Sequence, residues 1–131
     1  MKKTGSILAL LAALSLNTPA WAQSGIVKAG PYAPLGFCQI TSLNSAVALV
    51  TASCSTGSVP AGAVIAEICV ETASVRYRDD GVSPTTTVGI LVAPTATAPV
   101  CYAYAIIPMT AVKFIAVSGS PVINVSFYKY Q

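Results

Sequence analysis

The fold is decided by the alternating stretch I-N-V-S-F-Y at residues 123–128 of the 131-residue chain. Its apolar side chains, Ile123, Val125 and Phe127, share one side of an extended strand, because successive side chains of a strand point to opposite faces. Asn124, Ser126 and Tyr128 take the other side. This pattern is typical of an antiparallel strand with one buried face. We therefore predict that the side with Ile123 faces a core.

The same alternation recurs upstream and assigns faces to two further strands. Side chains predicted to point inward are Val64, Ala66, Ile68, Val70, Val75 and Tyr77. Side chains predicted to point outward are Glu67, Cys69, Glu71, Arg76 and Arg78. An outward Cys69 is in a position to form a disulfide between neighbouring strands at the surface.

Turn residues recur at intervals typical of short antiparallel strands, and no window shows a sustained apolar period of 3.6 residues. Eight strands are predicted, near residues 37–43, 46–52, 63–70, 73–79, 86–92, 100–107, 111–117 and 121–129. About eight short strands, each with one apolar face, predict an all-β fold: a single antiparallel β-sandwich of Greek-key or jelly-roll type. We assign the sandwich to residues 37–131, after an irregular N-terminal arm at 23–36 that is rich in glycine and proline.

Residues 1–22 have the layout of a cleavable signal peptide. Lys2 and Lys3 form a positive start, residues 7–16 form an apolar run, and A-W-A at residues 20–22 provides the small residues of a cleavage site. A run of this length is too short to cross a hydrocarbon core about 30 Å thick. We therefore predict an exported chain, periplasmic, secreted or at a cell or virion surface, with no stable membrane anchor after cleavage.

Four cysteines follow the signal peptide: Cys38, Cys54, Cys69 and Cys101. An even number in an exported chain predicts two disulfides. Intervals of 16, 15 and 32 residues without any His do not fit a zinc site, and buried free cysteines are the remaining alternative. Of the three pairings we favour Cys38 with Cys54 and Cys69 with Cys101. The first closes a loop of about fifteen residues, which contributes on the order of 3 kcal/mol.

Composition narrows the classes of function. Hydrophobic residues make up 54% of the chain and charged residues 8%, which excludes a disordered protein. Histidine is absent, so there is no Ser-His or Cys-His catalytic pair. Removal of Lys2 and Lys3 lowers the formal net charge from +3 to +1, which is too weak for nucleic-acid binding. We expect no enzyme activity, no cofactor or metal, and no nucleic-acid partner.

Four of the nine charged residues after the signal peptide lie in one run, which Gly81 follows. The run consists of Arg76, Tyr77, Arg78, Asp79 and Asp80. One interpretation is an interaction patch, and the other is a strand that ends in an Asp-Asp-Gly turn with solvated or paired charges. A general acid and base pair is not expected from Asp79 and Asp80, because adjacent strand residues point to opposite faces.

Four segments together resemble a group of small tailed-phage virion proteins. They are V-R-Y-R-D-D-G-V-S-P-T-T-T-V-G at residues 75–89, V-P-A-G-A at 59–63, A-V-K-F-I at 111–115 and I-N-V-S-F-Y-K at 123–129. Members of that group carry a V-R-[WY]-R-D-D-G-x-x-P-T-x-x-V-G core. The resemblance implies a capsid-decoration or head-associated β-sandwich that packs on or between virion subunits. The signal peptide and the four cysteines set this chain apart from the group.

The leading hypothesis is a non-enzymatic, exported structural or interaction domain that self-assembles or docks on other structural subunits. Few charges leave much apolar surface uncovered, which favours a homo-oligomer or a docked state. The alternative is a secreted adhesive or carbohydrate-binding module. It requires that Tyr102, Tyr104 or Tyr128 form an exposed aromatic platform.

Overall fold

A computed structural model describes residues 31–105 and 108–131. They form nine strands: β1 (Tyr32–Ile40), β2 (Val47–Ala48), β3 (Thr56–Gly57), β4 (Ile65–Glu71), β5 (Val75–Arg78), β6 (Ile90–Val92), β7 (Val100–Ala105), β8 (Lys113–Ala116) and β9 (Val122–Tyr130). Short 3-10 turns lie at Thr51–Ser53 and Met109–Ala111. The predicted signal peptide and residues 23–30 of the predicted arm lie outside the described residues.

The strands form two antiparallel sheets. One has five strands in the order β3-β1-β9-β4-β7, and the other has four in the order β2-β8-β5-β6. The alternating C-terminal strand, β9, lies at the centre of the larger sheet, where Ile123 pairs with Ile40 of β1 on one side and with Val70 of β4 on the other. The prediction of an all-β fold with two antiparallel sheets is confirmed.

The core lies between the sheets and follows the predicted alternation. Fully buried side chains on the predicted inward positions are Ala66, Ile68, Val70, Val75, Ile123, Val125 and Phe127. Phe114 of β8 meets them from the smaller sheet and is also fully buried. Val64 is an exception, since it precedes β4 and is half-buried.

The first strand begins earlier than predicted. Strand β1 starts at Tyr32, which pairs with Tyr130, so residues 32–36 of the predicted irregular arm are strand. The pairing shifts register between Pro34 and Gly36. A bulge of this kind accommodates proline, which has no backbone N–H to donate to the neighbouring strand. Glycine and proline were therefore a misleading signal for irregular structure at this position.

Residues 46–60 also differ from the prediction. The strand predicted at 46–52 is limited to Val47–Ala48, and a 3-10 turn follows at Thr51–Ser53. Residues 55–60, which lie between two of the predicted strands, contain the short strand β3, in which Gly57 pairs with Cys38 of β1. Pairing with a distant strand, which local sequence does not reveal, produces this element.

Candidate functional site

The four cysteines form two disulfides. Cys38 bonds to Cys54, and Cys69 bonds to Cys101, so the described residues contain no free cysteine. The first disulfide ties β1 to the segment before β3, and the second joins directly opposite residues of β4 and β7. The favoured pairing is confirmed. Two disulfides fit an oxidising compartment.

The residues of the predicted interaction patch make different contacts in the structure. Arg76 lies on the outer face of β5 and is bound to the loop that precedes β6. Its Nε donates to the carbonyl oxygen of Thr86 at 3.1 Å, and its Nη1 donates to that of Gly89 at 2.7 Å. Arg76 therefore holds residues 86–89 against the sheet, which explains why the strand predicted at 86–92 begins only at Ile90.

Arg78 forms an ion pair with Asp80 across the turn. The Arg78 Nε lies 3.1 Å from Asp80 Oδ1, and Nη2 contacts Oδ2. Asp80 Oδ1 also accepts a hydrogen bond from the backbone N–H of Val82 at 3.1 Å. The Arg78 hydrogen bond, helped by the Val82 N–H, lowers the pKa of Asp80 from 3.8 to about 2. These contacts match the turn interpretation of Asp-Asp-Gly, while an interaction role for the run stays a prediction.

Tyr77 points inward and joins the two sheets through an aromatic cluster. Its ring stacks on Tyr102 of β7 with centroids 5.2 Å apart, and it meets Tyr104 edge-on at 5.7 Å. The Tyr104 hydroxyl donates to Asp79 Oδ2 at 3.4 Å. Tyr77 was predicted to face inward, but its contact with β7 was not predicted, because β5 and β7 belong to different sheets.

Burial changes the chemistry of the two β7 tyrosines. Desolvation raises the pKa of the Tyr102 hydroxyl, which is buried and has no hydrogen-bond partner among the described residues. Desolvation, and next a hydrogen bond with Tyr77, raise the pKa of Tyr104. Both hydroxyls therefore stay protonated at physiological pH. They do not provide a base.

The aromatic platform required by the carbohydrate-binding alternative is not exposed. Tyr102 and Tyr104 are only partly accessible, and their rings pack against Tyr77. Tyr128 is buried, and its hydroxyl donates to Glu67 Oε2 at 3.0 Å. The three side chains named for that alternative therefore serve packing between and beside the strands.

Exposed apolar side chains concentrate on another part of the molecule. The large ones in the described residues are Tyr32, Phe37, Val82, Val88, Ile90, Leu91, Val100 and Tyr130. Five of the eight lie within residues 82–100, on the loop held by Arg76 and on strands β6 and β7. The sequence from residue 81 to residue 112 contains no Asp, Glu, Lys or Arg. We call the side of the sandwich formed by residues 82–105 the uncharged edge.

No family model, curated protein or solved structure matches this chain. The resemblance to tailed-phage virion proteins therefore stays a prediction that depends on the quoted segments.

Among residues 31–105 and 108–131, no group of three or more His, Cys, Asp or Glu side chains is arranged to hold a metal ion. In the same part of the chain, no helix has the length and apolar character needed to span a membrane. The feature that invites a functional explanation is the uncharged edge.

Proposed function

We propose that this chain is a non-enzymatic, exported structural or interaction domain that assembles with copies of itself or docks on a larger protein assembly. The observation that carries the proposal is the uncharged edge. Val88, Ile90 and Leu91 are each at least half exposed there, at 51%, 54% and 50%. Neighbouring exposed apolar side chains on a soluble protein mark interaction sites.

The edge is held in a defined shape, as a docking surface requires. The two hydrogen bonds from Arg76 fix the loop at Thr86 and Gly89. The Arg78–Asp80 pair and the Val82 N–H bond fix the turn in which that loop begins. A surface that is already ordered loses little conformational entropy on binding, which favours association.

The remaining chemistry supports a structural role over catalysis. The chain has no His, and the described carboxylates of Asp79 and Asp80 are engaged by Tyr104 and Arg78. Export is supported by the predicted signal peptide together with the two disulfides, since disulfides persist in oxidising compartments. The virion-like segments agree with a subunit that packs on other subunits.

The test is the native mass of the exported protein in an unfractionated extract of its compartment. We expect a species larger than one chain, measured by native gel and size-exclusion chromatography with detection by antibody. Unfolded protein is excluded by requiring both disulfides intact on peptide mapping. A chain that runs as a monomer in that extract contradicts the proposed function.

A further inference from the structure

Strand β7 leaves one edge of the five-stranded sheet without a strand partner among the described residues. It is the last strand of the order β3-β1-β9-β4-β7 and spans Val100–Ala105. None of its six residues is charged or proline. Natural sheets usually protect such an edge with lysine, proline or a bulge, because its free N–H and C=O groups pair readily with another strand. The edge of β7 is thus open to strand pairing.

The β7 edge of the five-stranded sheet and the β6 edge of the four-stranded sheet lie on the same side of the sandwich. Tyr77 of β5 stacks on Tyr102 of β7, which places β5 opposite β7. Phe114 of β8 is fully buried, so β8 lies over the interior of the larger sheet and β6 lies on the outer side of β5. Exposed Ile90 and Leu91 of β6 therefore flank the open edge of β7.

Charge favours a second copy of this chain as the occupant. Residues 81–112 carry no charge, so two copies that meet at this edge bring no charges of β6 or β7 together. Charged side chains beside β7 are Glu67, which pairs with Ala103 across the strands, and Asp79, which accepts the Tyr104 hydroxyl. A charged partner would find no counter-charge on β6 or β7. A six-residue strand is about 20 Å long, and two sheets with their side chains are about 25 Å deep. Pairing at this edge would thus bury on the order of 500 Å² of surface per copy, or about 1,000 Å² in total, which is the area that a specific interface requires.

We infer that β7 pairs antiparallel with β7 of a second copy around a two-fold axis at Ala103, an inference that rests on the proposed assembly role and names its partner and surface. Directly opposite residues of an antiparallel pair share a face, so the axis passes through a residue and not between two. An axis at Tyr102 or at Ala103 pairs five of the six residues of β7, and Ala103 is the exposed one of the two. An axis at Ala103 sets Tyr102 opposite the partner's Tyr104. The two five-stranded sheets then form one continuous sheet.

Two features prepare β7 for this pairing. The Cys69–Cys101 disulfide attaches it covalently to β4 on the outer face. Tyr102 and Tyr104 anchor its inner face on Tyr77. An edge strand fixed on both faces loses little freedom when it pairs, which strengthens binding without any added contact.

The experiment uses the exported protein with both disulfides intact and measures the dimer dissociation constant by sedimentation velocity over a concentration series. Ala103 is exposed and faces its own copy across the axis, so Ala103→Lys and Ala103→Glu each place like charges directly opposite. Each variant alone should raise the dissociation constant about fivefold. An equimolar mixture of the two should restore the dimer, because Lys then faces Glu. Thr56→Lys, an exposed position on β3 at the opposite edge, is the matched control and should leave the constant unchanged.

Four results would contradict the self-pairing of β7. A purified wild-type chain that stays monomeric overturns the self-pairing, and an assembly that persists in both Ala103 variants overturns it as well. Loss of the dimer in Thr56→Lys, or a mixture that fails to associate, also overturns it. The proposed function is tested separately by the native mass in the extract. If a large species is present there but dissociates on purification, or is unaffected by the Ala103 substitutions, the assembly role is supported and pairing through β7 is not.

Discussion

The two edges of the five-stranded sheet end in opposite ways. At the β3 edge the last strand has two residues, and side-chain hydroxyls accept two backbone N–H groups beside it: Ser55 Oγ accepts from the N–H of Thr41, and Thr51 Oγ1 accepts from that of Val59. At the β7 edge the last strand has six residues, with apolar neighbours and no charge. Each edge is held by one disulfide. We call the β3 edge closed because its last strand spans only two residues, and the β7 edge open because its last strand is long and uncharged. A disulfide therefore stabilises an edge without closing it.

The largest expected effect comes from the disulfide at the closed edge. The double variant Cys38→Ala, Cys54→Ala should lower the free energy of unfolding by about 4 kcal/mol. About 3 kcal/mol comes from the loop closed over a separation of 16 residues, and about 1 kcal/mol from the cavity left at fully buried Cys38. Denaturant unfolding followed by fluorescence measures the loss.

The matched variant is Cys69→Ala, Cys101→Ala at the open edge. Its separation of 32 residues predicts a similar loss from loop closure, but both cysteines are only half-buried and leave little cavity. Hydrogen exchange should then rise in β7 and not in β1. Equal exchange in both strands would show that the second disulfide does not act locally on the open edge.

The next two variants replace one glycine in β3 and one in the turn that begins the open edge. Gly57 of β3 has φ +79°, and a Cβ there would lie 2.0 Å from the carbonyl oxygen of Phe37, which accepts the N–H of Ser58. Gly57→Ala should therefore cost about 2–3 kcal/mol, from the left-handed backbone and the disrupted hydrogen bond. Gly81 has φ +81° with open space around it, so Gly81→Ala should cost only about 1 kcal/mol. Thermal unfolding of both variants measures the difference, and equal losses would mean that β3 moves freely away from β1.

An arginine pair tests what orders the open edge. Arg76→Ala removes the hydrogen bonds to Thr86 and Gly89 and should cost about 1–2 kcal/mol, because the guanidinium is partly exposed. Amide exchange should rise in residues 85–89. Arg78→Ala breaks a solvent-accessible ion pair at the surface and should leave the unfolding curve within its error. If the amides of residues 85–89 stay protected from exchange in Arg76→Ala, the edge is ordered by other contacts.

The smallest effect is a pH dependence at the turn that begins the open edge. The pKa of Asp80 falls from 3.8 to about 2 in the folded chain, so its contribution to stability is complete above about pH 4 and is lost as the pH falls to 2. The melting temperature of the wild type should exceed that of Asp80→Asn slightly at pH 6, and the two should converge near pH 2. A constant difference across this range would assign the effect to something other than ionisation of Asp80.

Sequence patterns alone were enough to predict the all-β class, the buried face of the strands and the chemistry of the disulfides. These properties depend on a period of two along a strand and on residue type, so Ile123, Val125 and Phe127 were assigned to the core without knowing which strands they contact. The preference for Cys38–Cys54 and Cys69–Cys101 likewise needed only a count and an order along the chain. The Asp-Asp-Gly turn followed from local chemistry.

Which strands pair, and therefore which strands form the sheet edges, depends on tertiary structure. Strand β3 exists because Gly57 pairs with Cys38, and β1 starts at Tyr32 because β9 extends to Tyr130. The attachment of the 86–89 loop to Arg76 and the stacking of Tyr77 on Tyr102 likewise join residues that are distant in sequence or lie in different sheets. Alternation along one strand specifies a face but not a neighbour, because pairing is set by the summed packing of all strands around one core. The closed β3 edge and the open β7 edge are therefore properties of the assembled sheets, not of any single segment.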